Sequence, residues 1–139
     1  NTRDTSLDEI MAENHGKILI LHFWATWCFA CIQELPRDLQ KFYSLDYPEL
    51  KNLGIILVLI STDAIDEKPL NFIKEYNLQI PFYRDKEHSI RNFAGIDYHD
   101  GLPINVVFDN SGKKIDTFKG IQPWSTQSFI NKLKNYLVD

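Results

Sequence analysis

The sequence lacks long apolar runs and clusters of basic residues. Its longest apolar stretches, 18–21 and 55–60, are far shorter than the roughly 20 residues that span a bilayer. No basic run exceeds the pair at 113–114, and the net charge is -4, so we expect neither a transmembrane helix nor a nucleic-acid partner. The chain begins at Asn1 and has one methionine, Met11. We therefore expect that any native leader or anchor, its only link to a membrane, has been removed.

Cysteine is also scarce, with only Cys28 and Cys31 present. A disulfide between them closes a very short loop and would stabilise the fold by only about 2 kcal/mol, against about 3 kcal/mol for a fifteen-residue loop. A zinc site would need two further ligands, and the four histidines are not spaced three to five residues apart as in zinc fingers. We expect no metal and no other cofactor. The spacing favours a redox-active pair.

The size and composition are those of a packed enzyme domain. The chain has 139 residues, of which 44% are hydrophobic and 24% charged, a balance that disordered or fibrous proteins do not have. This length fits one domain, and no stretch of the sequence has the composition of a linker. We therefore predict a single domain covering residues 1–139.

Two nearly unbroken apolar runs, Lys17–Trp24 and Gly54–Ser61, are typical of strands covered on both faces, so both are predicted as central parallel strands. Apolar residues at helical spacing between them predict a crossover helix of about four turns that begins near Cys28. Pro36 lies inside this helix and should kink it.

The remaining elements complete an α/β fold with a central mixed sheet of four to five strands flanked by helices. A capping box at Ser6 and Glu9 predicts a first helix that ends near residue 14. Later elements are a helix that buries Leu70, Ile73 and Tyr76, an edge strand within 78–83, a helical turn at 89–94, a hairpin of 104–108 with 114–118, and a last helix capped by Ser125.

This order places the cysteines where the first strand ends and the crossover helix begins. Amide groups in the first turn of a helix have no intrahelical partner, and the helix dipole leaves partial positive charge there. Both effects favour a thiolate, and Cys-x-x-Cys pairs at helix N-termini have pKa values lowered from about 8.5 to roughly 3.5 to 7.5. We predict Cys28 as the nucleophile and Cys31, one turn deeper on the same face, as the resolving thiol.

The segment FWATWCFAC at 23–31, followed by Glu34-Leu-Pro36, resembles the active site of the thioredoxin superfamily. It is most similar to the TlpA/ResA group, which includes DsbE-like proteins: membrane-tethered, extracytoplasmic thiol-disulfide oxidoreductases. The resemblance covers about residues 16–138 and implies a thioredoxin-like fold. It also implies that the chain reduces disulfides in client proteins, for example during cytochrome c maturation. An upstream, membrane-bound thiol-disulfide donor and a location in the bacterial periplasm, or anchored facing it, are implied as well.

The same resemblance implies how a client binds. Gly101-Leu-Pro103 is similar to the family's cis-proline loop, so Leu102 and Pro103 would dock the client strand by β-addition. Trp27 and Phe29 would form an apolar collar around the reactive sulfur. The alternatives are core packing for Trp27 and a lone exposed aromatic for Phe29.

Two positions bear on proton transfer. His22 occupies a position where thioredoxins have a buried acid and the TlpA/ResA group often has an amide; it is either a proton-transfer group or a neutral, hydrogen-bonded core residue. Glu34 either accepts a proton from Cys31 or, as we favour from the sequence, is a solvated charge complementing the helix dipole.

Other activities on the same fold remain open. The dipeptide Phe29-Ala30 departs from the proline that commonly precedes the second cysteine in such reductants, so a dithiol oxidase or isomerase is an alternative. A low-turnover binding module is another. A thioredoxin-fold peroxidase would need threonine three residues before its reactive cysteine, where this sequence has Ala25.

Overall fold

One five-stranded mixed sheet, in the order β3-β2-β1-β4-β5, organises the chain. The structure is a computed structural model that describes residues 7–85, 88–97 and 101–137. Its strands are β1 (Ile18–Trp24), β2 (Ile55–Ser61), β3 (Phe82–Arg84), β4 (Ile104–Phe108) and β5 (Lys114–Lys119). Its helices are α1 (Leu7–Glu13), α2 (Phe29–Glu34), α3 (Gln40–Leu45), α4 (Tyr47–Asn52), α5 (Glu67–Glu75), α6 (Ser89–Ala94) and α7 (Gln127–Asn135), with a π-helical segment at Leu35–Leu39.

The two apolar runs form the interior of the sheet, as the sequence predicts. β1 pairs with β2 in parallel and with β4 antiparallel, and every residue of β1 and β2 is buried. β4 and β5 form the predicted antiparallel hairpin. The strand near Pro81 lies at the sheet edge, also as predicted, although it spans only Phe82–Arg84.

The crossover from β1 to β2 begins beside the cysteines and is kinked at the expected place. α2 runs directly into the π-helical segment, which holds Pro36 at its start, and continues as α3. A proline inside a helix cannot donate to the preceding turn, and a local widening of the helix accommodates this. The separate helix α4 that follows was not predicted from the sequence.

The sheet separates two apolar cores. Alternate side chains of β1 face opposite layers: Ile18, Ile20 and Trp24 pack with the layer that contains the π-helical segment and α7, whereas Leu19, Leu21 and Phe23 pack with α1 and α6. His22 follows the first set in the alternation. It is therefore aimed at the layer that holds the cysteines.

Two details of the helices correct the sequence analysis. The inward face of α5 is rotated from the predicted one: Pro69 is buried and Phe72 packs on Trp24, with ring centroids 5.4 Å apart, while Tyr76 is 46% exposed. Of the predicted stripe, Leu70 and Ile73 are half-buried.

The last helix is capped by Thr126, one residue later than the predicted Ser125. Its side-chain oxygen accepts from the backbone N–H of Phe129 at 3.3 Å. The predicted cap at Ser6 lies outside the described residues. Within the described ranges, no helix has the length and apolar content needed to cross a bilayer.

Candidate active site

Cys28 and Cys31 are joined by a disulfide where β1 gives way to the crossover helix. Cys28 is the N-cap of α2, and its sulfur accepts from the backbone N–H of Cys31 at 3.2 Å. Cys28 is 8% exposed and Cys31 is fully buried. The two cysteines therefore differ in access, and of the two only Cys28 has surface exposed to solvent.

The Leu102-Pro103 loop lies against the accessible sulfur. The peptide bond between Leu102 and Pro103 is cis, as the family resemblance implies, and Cys28 Sγ lies 3.4 Å from the carbonyl oxygen of Leu102. Pro103 is buried and leads directly into β4. A chain segment 74 residues away in sequence thus reaches the sulfur at the edge of the sheet.

Two large aromatic side chains stand beside Cys28 in the sequence and face solvent. Trp27 is 61% exposed and Phe29 is 74% exposed. Core packing, the alternative considered for Trp27, is therefore wrong. Trp27 and Leu102 also line a small cleft, whose other lining residues are Thr62, Arg91, Ile96 and Asp97.

A buried carboxylate holds the loop that precedes Cys28. Asp63 is 3% exposed, and its oxygens accept from the backbone N–H of Thr26 at 3.1 and 3.2 Å and from the Thr26 hydroxyl at 2.6 Å. The Ser61 hydroxyl donates to the same carboxylate at 2.8 Å. Asp63 therefore ties the loop to the end of β2.

Glu34 corrects the favoured sequence interpretation, because it is not a solvated charge. Its side chain is 0% exposed. Its Oε2 atom accepts from the backbone N–H of Gln122 and from the indole N–H of Trp124, both at 2.9 Å. Glu34 follows Cys31 by three residues in α2, a spacing that places the two side chains on the same helix face with Cβ atoms about 5 to 6 Å apart.

His22 is also completely buried and lies next to Glu34. Its Nδ1 atom is 2.8 Å from Asn105 Oδ1 on β4, and its Nε2 atom is 3.6 Å from Glu34 Oε1. The indole of Trp124 contacts the imidazole edge-on, with ring centroids 5.9 Å apart. Burial lowers the pKa of His22, while the Glu34 carboxylate and the hydrogen bond to Asn105 act in the opposite direction.

The partners of His22 and Glu34 are not predicted from the sequence. Asn105 interrupts an otherwise apolar strand, which is a usable signal for a buried hydrogen bond. Trp124 and Gln122 lie in the connection between β5 and α7, where nothing in the sequence points to the site. Among the described residues, no cluster of three or more potential ligands has the arrangement of a metal site.

Comparison with known proteins identifies relatives of the chain. The ResA thiol-disulfide oxidoreductase of Bacillus thuringiensis subsp. konkukian is 34% identical over 107 residues, covering 77% of this chain and 57% of that protein. The ResA protein of Oceanobacillus iheyensis is 35% identical over 130 residues, covering 93% of this chain and 60% of its own length. The chain thus spans less than two thirds of these curated relatives.

The solved structures agree with the predicted fold. A thiol:disulfide interchange protein of the thioredoxin family from Chlorobium tepidum TLS superposes with a TM-score of 0.71 at 27% identity, covering 91% of this chain and 84% of that one. The thioredoxin-like fold predicted from the sequence is therefore confirmed. The AhpC/TSA family profile matches residues 1–121, and the chain belongs to this family.

Proposed function

We propose that the chain is a thiol-disulfide oxidoreductase that reduces disulfides in client proteins. The observation that carries this proposal is the Cys28-Cys31 disulfide at the start of α2, with one sulfur accessible and the other buried. An accessible sulfur can enter a mixed disulfide with a protein, and a buried neighbour can resolve it without competing for clients. The names of the ResA relatives and the thioredoxin-like fold support the same chemistry.

The reaction proceeds by two exchanges. The Cys28 thiolate attacks one sulfur of the client disulfide, so that a Cys28-client bond forms and the other client sulfur leaves as a thiolate. Cys31 then loses its proton and attacks Cys28 Sγ. The Cys28-Cys31 bond forms, the second client sulfur leaves, and the two client thiolates take protons from solvent or protein groups. The client is reduced by two electrons and the protein's dithiol is oxidised.

The surroundings of Cys28 supply the means to favour its thiolate and to hold a client. The N–H of Cys31 donates to Cys28 Sγ, and hydrogen bonding to a charged form stabilises that form. The backbone of Leu102 beside the sulfur offers an edge for an extended client strand. Trp27 and Phe29, which flank Cys28 in the sequence, provide exposed apolar surface. A strand laid against Leu102 would bring its own disulfide to Cys28.

The direction and setting of the reaction belong to the same proposal. We assign the reductive direction, with the client and an upstream membrane-bound thiol donor located outside the cytoplasm, in the bacterial periplasm or at a membrane facing it. The similarity to ResA proteins supports this assignment. Glu34 is assigned as the acceptor of the Cys31 proton, since the two residues share the buried face of α2.

Reduction of insulin tests the proposed activity. With dithiothreitol as electron source, catalytic amounts of the protein should speed the precipitation of the free insulin B chain by at least about tenfold over dithiothreitol alone. Equilibration of the Cys28-Cys31 pair with glutathione then tests direction: a reductant should have a potential near or below roughly -200 mV, whereas an oxidant would lie closer to the about -120 mV of DsbA. No acceleration of insulin reduction would favour the binding-module alternative.

A further inference from the structure

The buried pair of His22 and Glu34 has one unfilled position, and it lies between them. Each side chain is held by one of its polar atoms: His22 Nδ1 by Asn105, and Glu34 Oε2 by Gln122 and Trp124. The remaining atoms, His22 Nε2 and Glu34 Oε1, lie 3.6 Å apart at 0% exposure. Neither has a hydrogen-bond partner among the described residues.

The identities of the partners fix where a proton can go. In the orientation that the structure gives the Asn105 amide, its Oδ1 atom faces His22 Nδ1. Because a carbonyl oxygen only accepts, the hydrogen of a neutral imidazole then lies on Nδ1, and Nε2 is an acceptor facing Glu34. Oε2 already accepts two N–H donors, so a proton on the carboxyl group belongs on Oε1. The separation of 3.6 Å exceeds hydrogen-bond length. The pair is therefore unbridged. One added proton would supply the missing donor, and the two atoms would move to hydrogen-bond distance.

A second proton would be much less favourable than the first. One proton between Oε1 and Nε2 gives a bridged pair with no net charge, since a carboxylate and a neutral imidazole carry -1 together. Two protons would leave a net positive charge at a fully buried site, which is costly without a paired anion. The arrangement is that of an acceptor with a capacity of one proton.

We propose that His22 and Glu34 act as one shared acceptor for the proton of Cys31, with His22 as the positioning residue that bridges the protonated carboxyl group. This inference rests on the proposed function, because it concerns the second exchange. The Cys31 thiol gives its proton to Glu34 Oε1, which then donates to His22 Nε2. The freed electron pair on Cys31 sulfur attacks Cys28, and the client sulfur leaves with the electrons of the bond that breaks.

The surroundings of His22 contain no competing charge in the part of the chain that the structure describes. On the neighbouring strands it is paired with Leu59 of β2 and Asn105 of β4, and Trp124 covers the ring edge. The charged group that acts on the imidazole is Glu34, on α2. The lowered pKa of His22 agrees with a neutral ring. Cys31 is the other titratable group on the packed face of α2.

The substitution His22→Asn tests the shared acceptor in a single-turnover assay. Reduced protein mixed with excess 5,5′-dithiobis(2-nitrobenzoate) releases coloured thiolate twice: first when Cys28 attacks, at a rate that scales with reagent, and again when Cys31 displaces the bound aromatic thiol. The rate of the second phase should decrease as the pH is lowered, because the pair becomes protonated, and the pH at half the maximal rate is the midpoint of this profile. In His22→Asn, loss of the bridging hydrogen bond should lower the proton affinity of Glu34 about tenfold and move the midpoint about one pH unit downward.

Matched variants separate this effect from a general disturbance. His15→Asn makes the same change at an exposed position and should leave the profile unchanged. The first phase, which reports Cys28 attack, should be unchanged in His22→Asn. In a Glu34→Gln background, His22→Asn should cause no further shift, because the shared acceptor is already lost. A midpoint within 0.2 of a pH unit of wild type in His22→Asn would overturn the proposal.

A second measurement needs no variant. Nitrogen NMR of His22 in the oxidised wild-type protein at neutral pH should show the hydrogen on Nδ1 and none on Nε2. A hydrogen on Nε2 would contradict the shared acceptor, even if His22→Asn failed to fold. Failure of the proposed function is distinguishable, because it would appear as loss of the first phase or as loss of insulin reduction.

Discussion

Replacing Cys31 with serine is expected to leave the protein covalently joined to its clients through Cys28. Cys28 is the accessible sulfur and Cys31 is fully buried beside it, so the first exchange remains possible while the resolving thiol is gone. An intramolecular thiol has a large advantage over thiols in solution. Insulin reduction should therefore fall about 100-fold, and a mixed disulfide with insulin should persist on non-reducing gels.

The matched control for this trap is the double variant Cys28→Ser/Cys31→Ser, which should form no adduct. Mass spectrometry of the trapped species should place the client sulfur on residue 28. Adducts that form equally well in the reciprocal Cys28→Ser variant, through Cys31, would contradict the assignment of the two roles. That outcome would also require a movement that exposes a residue now 0% exposed.

Replacing Glu34 with glutamine is expected to slow the second exchange about 100-fold, the scale of one general base. Glutamine has the shape of glutamate, and its carbonyl oxygen can still accept from Gln122 and Trp124, while its NH₂ group can donate to His22 Nε2. The fold should therefore survive the change. The lost group is the proposed proton acceptor on the buried face of α2, so the slow step should be the displacement by Cys31, measured in the two-phase assay.

The control for Glu34→Gln is the same substitution at Glu49, whose side chain is 67% exposed and pairs with Lys134 at 3.3 Å. An exposed pair of this kind contributes little, so Glu49→Gln should match wild type in both phases. A Glu34→Gln protein that folds and resolves its mixed disulfide at the wild-type rate would remove Glu34 from the mechanism.

The fold was largely predictable from local patterns. The apolar runs of β1 and β2 predict buried parallel strands, and Pro36 predicts the distortion that takes the form of a π-helical segment. The turn cluster after Phe108 predicts the hairpin of β4 and β5. These features are set by residues near one another in sequence. The buried face of α5 was predicted incorrectly because two sets of residues fit helical spacing. One is the predicted stripe, and the other is the observed set of Pro69, Phe72 and Ile73. Packing of Phe72 against Trp24 decides between them.

The placement of the cysteines could also be predicted from local sequence, but the environment of the Glu34 carboxylate could not. Cys28 and Cys31 lie within one motif, and their position at the start of α2 follows from the order of strand, loop and helix. Glu34 is buried only because Gln122 and Trp124, 88 and 90 residues further along the chain, close over it. The sequence offered no local signal for that contact, and an acid in the second turn of a helix is ordinarily solvated.

The exposure of Trp27 depended on tertiary structure in the same way. A residue beside a helix start can face either the core or solvent, and here the loop is fixed by Asp63 through the hydrogen bonds to Thr26. In the loop held this way, Trp27 is 61% exposed.

The central claim is that Cys28 is a nucleophile whose thiol has a lowered pKa. The pH dependence of Cys28 alkylation in the fully reduced protein tests it most directly. With iodoacetamide below saturation, and with Cys31 replaced by serine so that one thiol reports, the rate should reach half its maximum at a pH at least one unit below the about 8.5 of an ordinary cysteine. A midpoint near 8.5, with the slow rate of a peptide thiol, would contradict the account.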